Sequence, residues 1–187
     1  MKFLITGLGN MGPDYEGTRH NIGFDVLNHL VSEKEGKFEV KRYGDVAQVK
    51  HRGKTLILLK PSTFMNLSGK AVRYWMEKEK IPIERSLVIT DDVALPLGTI
   101  RIKKKGSDGG HNGLSDIIAK LGRSDFPRLR FGVGNEFPKG TQVNYVLGKW
   151  TDEEIPIIKP QIKKAADSIL TFSFMGIEKA MNLYNNK

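Results

Sequence analysis

The chain has no cysteine among its 187 residues, which excludes disulfides, thiolate metal sites and a cysteine nucleophile. No apolar run approaches the roughly 20 residues that a membrane-spanning helix needs. The opening Met1-Lys2-Phe3-Leu4-Ile5 lacks the long apolar region and small-residue cleavage site of a secretory signal. A cytoplasmic protein without a membrane partner is therefore expected. Histidines number only four, and no two show the His-x-x-x-His spacing of a metal site. Internal repeats and low-complexity tracts are also missing. Acidic residues are in deficit, 21 against 30 Lys and Arg, leaving a net charge of +9. That balance favours a polyanionic partner, with nucleic acid ahead of a membrane surface because no strongly amphipathic basic helix is present. The plainer reading is a charge that only aids solubility.

What is present is ordinary for a folded protein: 39% hydrophobic and 27% charged residues in a chain long enough to bury a full core. One domain over residues 1–187 is expected. The apolar run Phe3-Leu4-Ile5 ends in Gly7-Leu8-Gly9-Asn10-Met11-Gly12, and a helix then spans about Asn21 to Lys34 on the spacing of Ile22, Val26, Leu27 and Leu30. Phe38–Val40, Gly44–His51 and Thr55–Leu59 read as strands, the last apolar on both faces like a central strand covered by helices. Ser68 is expected to cap a helix over Lys70 to Lys80. A second fully apolar strand, Leu87–Thr90, delivers Asp91 and Asp92 to its carboxyl end. In Gly98–Lys105, Ile100 and Ile102 point one way and Arg101, Lys103 and Lys105 the other. A glycine-rich loop, 106–113, leads into a helix carrying Leu114, Ile117, Ile118 and Leu121, and Arg128–Gly134 forms a further strand. Val143–Leu147 is apolar but too short to classify. Thr151 and Glu154 have capping-box spacing, and Pro156 and Pro160 predict a short helix that stops before a longer one from Gln161 to Phe174. Gly176 precedes a last helix ending near Tyr184.

The chemistry-bearing residues sit after the apolar strands. Asn10 and His20, then Phe64-Met65-Asn66, then Asp91 follow successive strands, and the 106–113 loop adds His111-Asn112. In an α/β sheet of parallel strands such groups converge at one edge, where glycines let backbone approach a substrate. An imidazole near its ordinary pKa of about 6.5, with a carboxylate partner, is a general-base arrangement, and carboxamides supply neutral donors for a peptide-like substrate and an oxyanion. Together they point to acyl-bond hydrolysis by activated water. The competing reading has His20 capping the next helix and Asp91 in a turn.

Other chemistries fit less well. Ser62 and Ser68 lie outside a Gly-x-Ser-x-Gly elbow. A metal on His20, His111 and Asp91 lacks paired spacing, while His29 and His51 fall in a helix and a strand. Gly7-x-Gly9-x-x-Gly12 matches a dinucleotide fingerprint only formally, because residues 13–19 separate it from the helix. Lys103 and Lys105 on one strand, with Arg128 and Arg130 on another, form a set able to clamp phosphates, or else a solvated strand face. Tyr15 and Phe64 either stack on a base or belong to the core.

Four blocks in order, Gly7-Leu8-Gly9-Asn10-x-Gly12 with Tyr15 and Thr18-Arg19-His20-Asn21, Phe64-Met65-Asn66-Leu67-Ser68-Gly69, Asp91 before Leu95-Pro96-x-Gly98, and Gly109-Gly110-His111-Asn112-Gly113-Leu114, closely resemble bacterial-type peptidyl-tRNA hydrolases. The resemblance implies one α/β domain, a mixed and mostly parallel sheet flanked by helices with further helices at the carboxyl end. It implies a monomer without cofactor that cleaves the ester between a peptide and the 3′ ribose of tRNA, recycling tRNA from aborted translation. By the same resemblance His20 activates water, Asp91 holds and polarises it, and Asn10 helps tell N-blocked peptidyl esters from free aminoacyl esters. Asn66 and Asn112 would bind the peptide backbone and the tRNA end, Tyr15, Phe64 and Met65 would line the groove, and Lys103 and Arg130 would meet the tRNA 5′ phosphate. Met11 stands where the family usually has proline, and Ala94 where it commonly has an acid. The alternative is a non-catalytic RNA-binding protein on the same scaffold, which would not need Asn10, His20 and Asp91 together.

Overall fold

The computed structural model describes residues 1–185. In chain order its elements are β1 (Lys2–Gly7), α1 (Ile22–Glu33), β2 (Glu39–Lys41), β3 (Gly44–His51), β4 (Lys54–Pro61), α2 (Ser68–Glu79), β5 (Ser86–Asp92), β6 (Ile100–Lys103), α3 (Asn112–Leu121), β7 (Arg128–Gly132), α4 (Gln142–Val146), α5 (Ile155–Met175) and α6 (Ile177–Tyr184). The seven strands form one sheet in the order β2-β3-β4-β1-β5-β7-β6. Its centre, β4-β1-β5-β7, is parallel, while the β2-β3-β4 meander and the β6–β7 pair are antiparallel. This is the mixed, mostly parallel α/β sheet that the family resemblance implies.

Two apolar layers explain why the central strands look apolar throughout. Phe3, Ile5, Leu56, Leu58, Leu87 and Ile89 face α1, α5 and α6, whereas Leu4, Ile57, Leu59 and Val88 face α2 and α3. Alternation along a strand buries both faces when both are covered. The carboxyl ends of the parallel strands then share one edge of the sheet, and their loops form the site.

Two glycines set the geometry of that edge. A Cβ on Gly7 would lie 2.3 Å from the Gly23 carbonyl oxygen, and one on Gly23 would lie 2.5 Å from the Leu8 nitrogen. They seat the start of α1 against the end of β1, so these glycines serve helix packing rather than substrate approach.

Several local expectations need correction. Ser68 is the first residue of α2 and not its cap. A single 3-10 turn, Met65–Leu67, precedes it, and the Ser68 hydroxyl donates to the Met65 carbonyl at 2.7 Å. The helix from Ile155 to Met175 runs through Pro160 without a stop. The hydrogen bond that Pro160 cannot donate would have gone to Pro156, and both residues are exposed, so the unused carbonyl meets water. Only half of the capping box forms. Thr151 Oγ1 accepts the Glu154 N–H at 3.2 Å, but the Glu154 carboxylate turns to Arg19 instead. Val143–Leu147, left unclassified above, lies mostly in the short helix α4. Among the described residues, no helix is long and apolar enough to cross a membrane.

Candidate active site

The sheet order arranges the predicted residues along one line. From the β4 side come Phe64, Met65 and Asn66, then Asn10 beyond β1, then Asp91 near the end of β5, then Arg130 on β7. All of them, with Tyr15, His20 and Asn112, line one cleft of about 570 Å³. Lys103 does not line it. That residue pairs across the β6–β7 ladder with Arg128 and projects into solvent.

Asp91 is the floor of the cleft, 6% exposed. Its carboxylate lies 3.0 and 2.9 Å from His20 Nδ1 and 2.8 Å from His111 Nε2. The tautomers follow from the partners. His111 Nδ1 accepts the backbone N–H groups of Gly113 and Leu114 at 3.1 and 3.4 Å, capping α3, so its proton resides on Nε2 and is donated to Asp91. His20 Nδ1 likewise donates, because an ionised carboxylate can only accept, and its Nε2 has no protein partner among the described residues. Burial by itself would raise the Asp91 pKa. The His111 imidazole, by electrostatic attraction and hydrogen bond, and then His20 override it and hold the carboxyl well below the usual carboxylate range.

His20, Asp91 and His111 offer ligand atoms within 4.8 Å of one another, the grouping a cation would need. Their atoms are already matched, N–H to carboxylate, so hydrogen bonding accounts for the cluster without a metal.

Asn10 is held in place on three sides. Asn21 Oδ1 accepts its backbone N–H at 2.8 Å and Asn21 Nδ2 donates to its carbonyl at 2.9 Å. Its own Oδ1 accepts the Met65 N–H at 2.8 Å, which fixes the amide orientation. Nδ2 has no protein partner among the described residues, and Asn10 lines the cleft. A neutral donor is thereby held ready.

The cationic set divides. Arg128 is 1% exposed and its guanidinium donates to the carbonyls of Ser107, Ser124 and Phe126 while lying 4.1 Å from the Phe126 ring centroid. Burial, and secondarily Arg130, push it down to about 10. It secures the 106–113 loop and is out of reach of a phosphate, contrary to its expected place in the clamp. Arg130 is paired with Asp92, its Nε 2.5 Å from Oδ2, and still lines the cleft.

Two features escaped sequence reasoning. His111 was visible as a loop residue, but nothing local indicates that it shares Asp91 with His20. Val143, Val146 and Leu147, with Gln142, form an apolar wall of the cleft. This wall is tied down by Arg19, 6% exposed, which donates to the Tyr145 carbonyl at 3.1 Å and pairs with Glu154 at 2.7 Å. An arginine next to His20 was the only signal.

Residues 4–187 match the family model described as peptidyl-tRNA hydrolase. Proteins named peptidyl-tRNA hydrolase from Parabacteroides distasonis and Phocaeicola vulgatus are 54% and 55% identical to the chain over 187 residues, each alignment covering both chains completely. The crystal structure of peptidyl-tRNA hydrolase from Acinetobacter baumannii superposes with a TM-score of 0.93 at 33% identity, covering 98% of this chain and 94% of that one.

Proposed function

The chain belongs to the peptidyl-tRNA hydrolase family and hydrolyses peptidyl-tRNA, and we propose that it does so through His20 acting on water, as a cytoplasmic monomer without a cofactor. The observation that carries the assignment is the buried Asp91 carboxylate bonded to His20 Nδ1, which leaves Nε2 without a protein partner among the described residues.

A water bonded to Nε2 loses its proton as its oxygen attacks the ester carbonyl, and Asp91 stabilises the imidazolium that forms. Charge developing on the carbonyl oxygen is met by an N–H donor, for which the unpartnered Asn10 Nδ2 is suited. Collapse expels the 3′ ribose oxygen, which takes the proton back from His20. An ester leaving group needs no covalent intermediate, so the absence of an activated serine is no obstacle.

Asn66 and Asn112 hold the peptide backbone and the tRNA end, with Tyr15, Phe64 and Met65 as the groove wall. Arg130, with Lys103 further along the β6–β7 ladder, meets the 5′ phosphate of the tRNA. The test is release of tRNA from N-acetyl-aminoacyl-tRNA by the wild-type protein and His20→Ala, with unblocked aminoacyl-tRNA as control. Cleavage of the blocked ester alone, reduced by roughly 10²-fold or more in the variant, supports the assignment. An undiminished rate in the variant sinks it.

A further inference from the structure

Beside the catalytic cleft lies a second groove that the reaction does not use. We propose that it takes the part of the peptidyl chain upstream of the ester and selects for acidic side chains there. Its charged lining is Lys70, Arg73, Lys120 and one acid, Glu77, set among Tyr43, Phe64 and Tyr74. The proposal rests on the reading of the cleft given above.

Continuity is the first argument. Phe64, 66% exposed, lines both the cleft and the groove. The second is direction. In the sheet order, Arg130 lies beyond Asp91 on β7, while Phe64 follows β4 on the opposite side. The groove continues away from Arg130, because Tyr43 immediately precedes β3, the next strand out, and its carbonyl accepts the Ser62 N–H at 2.8 Å. With tRNA on the Arg130 side of the ester, what leaves on the Phe64 side is peptide.

Chemistry is the third. Tyr43 and Tyr74 meet edge to face with centroids 5.3 Å apart. The Arg42 guanidinium lies 5.1 and 5.3 Å from their centroids, and Lys70 Nζ lies 5.1 Å from that of Tyr43. Among the described residues neither Arg42 nor Lys70 has a carboxylate partner, whereas Arg73 is paired with Glu77 and Lys120 approaches Asp116. Lys70 in the lining, and Arg42 at its edge where it donates to the Tyr43 hydroxyl at 3.3 Å, are two cations without a carboxylate, which suits a carboxylate carried on a flexible chain.

The experiment compares kcat and KM for three substrates on one tRNA with one C-terminal residue: N-acetyl-aminoacyl-tRNA, and longer peptidyl-tRNAs carrying either Asp or Lys upstream. The wild-type protein should show a KM roughly fivefold lower for the Asp peptide than for the Lys peptide, the size of about one or two exposed ion pairs. Arg42→Glu with Lys70→Glu, both exposed positions, should reverse that order and leave N-acetyl-aminoacyl-tRNA unchanged. Equal KM for the two long substrates in the wild-type protein overturns the proposal. So does a rise in KM for all three substrates in the variant with an altered salt slope, which would mean that RNA occupies the groove. Failure of the wild-type protein to cleave even N-acetyl-aminoacyl-tRNA refutes the hydrolytic reading itself, so the two failures are distinct.

Discussion

His111 Nε2 lies 2.8 Å from Asp91 Oδ1, as close as His20 Nδ1 comes to the same carboxylate. One buried acid therefore accepts from two imidazoles, and only that of His20 keeps a ring nitrogen without a protein partner among the described residues. The other spends its remaining nitrogen on capping α3. His111 is a positioning residue, anchored to a helix end and aiming the carboxylate that aims His20.

Replacing His111 by alanine should separate these roles. Loss of the donor to Asp91 should lower kcat by about 10- to 100-fold with a smaller change in KM, by analogy with the partners that orient metal-bound imidazoles. Loss of the cap should cost about 1 kcal/mol in thermal or urea unfolding. A stability loss with kcat unchanged would reduce the contact to a structural one.

Asp91 has a pH signature in stability. Its pKa in the fold is lowered, by the two imidazoles against its burial, from a value near 3.8. The stability it contributes is present above about pH 4 and is lost as pH falls from there through its folded value. Asp91→Asn should flatten the stability profile below pH 4 and cut kcat by roughly 10²- to 10⁴-fold. An equally steep acid unfolding in Asp91→Asn would contradict the pairing.

Asn21 never touches the cleft's reacting centre, yet it clamps both backbone polar groups of Asn10. Asn21→Ala leaves a buried N–H and carbonyl without partners, which should cost about 2 to 3 kcal/mol and also lower kcat as the Asn10 loop loosens. Asn21→Asp keeps the acceptor for the Asn10 N–H but offers no donor to the carbonyl, so it should fall between the two. Chemical denaturation and initial rates on the same samples decide it.

Asp25 tests the region behind Asn10. Burial pushes its carboxyl up to about 7 in spite of the nearby Lys60, which lowers it. A raised folded pKa means stability that is fully present below about pH 4 and lost as pH rises from there to about 7. Asp25→Asn should thus stabilise the protein at pH 8 by on the order of 1 to 3 kcal/mol, with the gain vanishing near pH 4. Identical melting temperatures across that range would show that the carboxyl is already ionised in the fold.

Much of the scaffold was legible because it depends on local pattern. Apolar runs such as Leu56–Leu59 and Leu87–Ile89 can only be strands covered on both faces, and each ends in residues that the fold brings to one edge. The misreadings share one cause, which is that tertiary surroundings decide where an unpaired backbone group goes. Ser68 resembles a cap, but the preceding turn already supplies the helix start. Pro160 resembles a stop, but it faces water one turn into a helix whose other face packs through Ile158, Ala165 and Ile169.

The sequence by itself determined which side chains are available: one histidine and one carboxylate after successive strands, carboxamides in three loops, no thiol and an excess of cations. It also determined the family, because four blocks in order are not reproduced by composition or periodicity. Only the tertiary structure decided how these groups are paired. Arg128 and Arg130 are two residues apart on one strand, yet one is sealed against three carbonyls and the other reaches the cleft. His20 and His111 are alike in isolation, yet backbone donors at the start of α3 take the Nδ1 lone pair of His111, whereas Nδ1 of His20 meets Asp91 and its Nε2 has no protein partner among the described residues. Tautomer, burial and charge pairing depend on neighbours distant in the chain, and no local pattern encodes them.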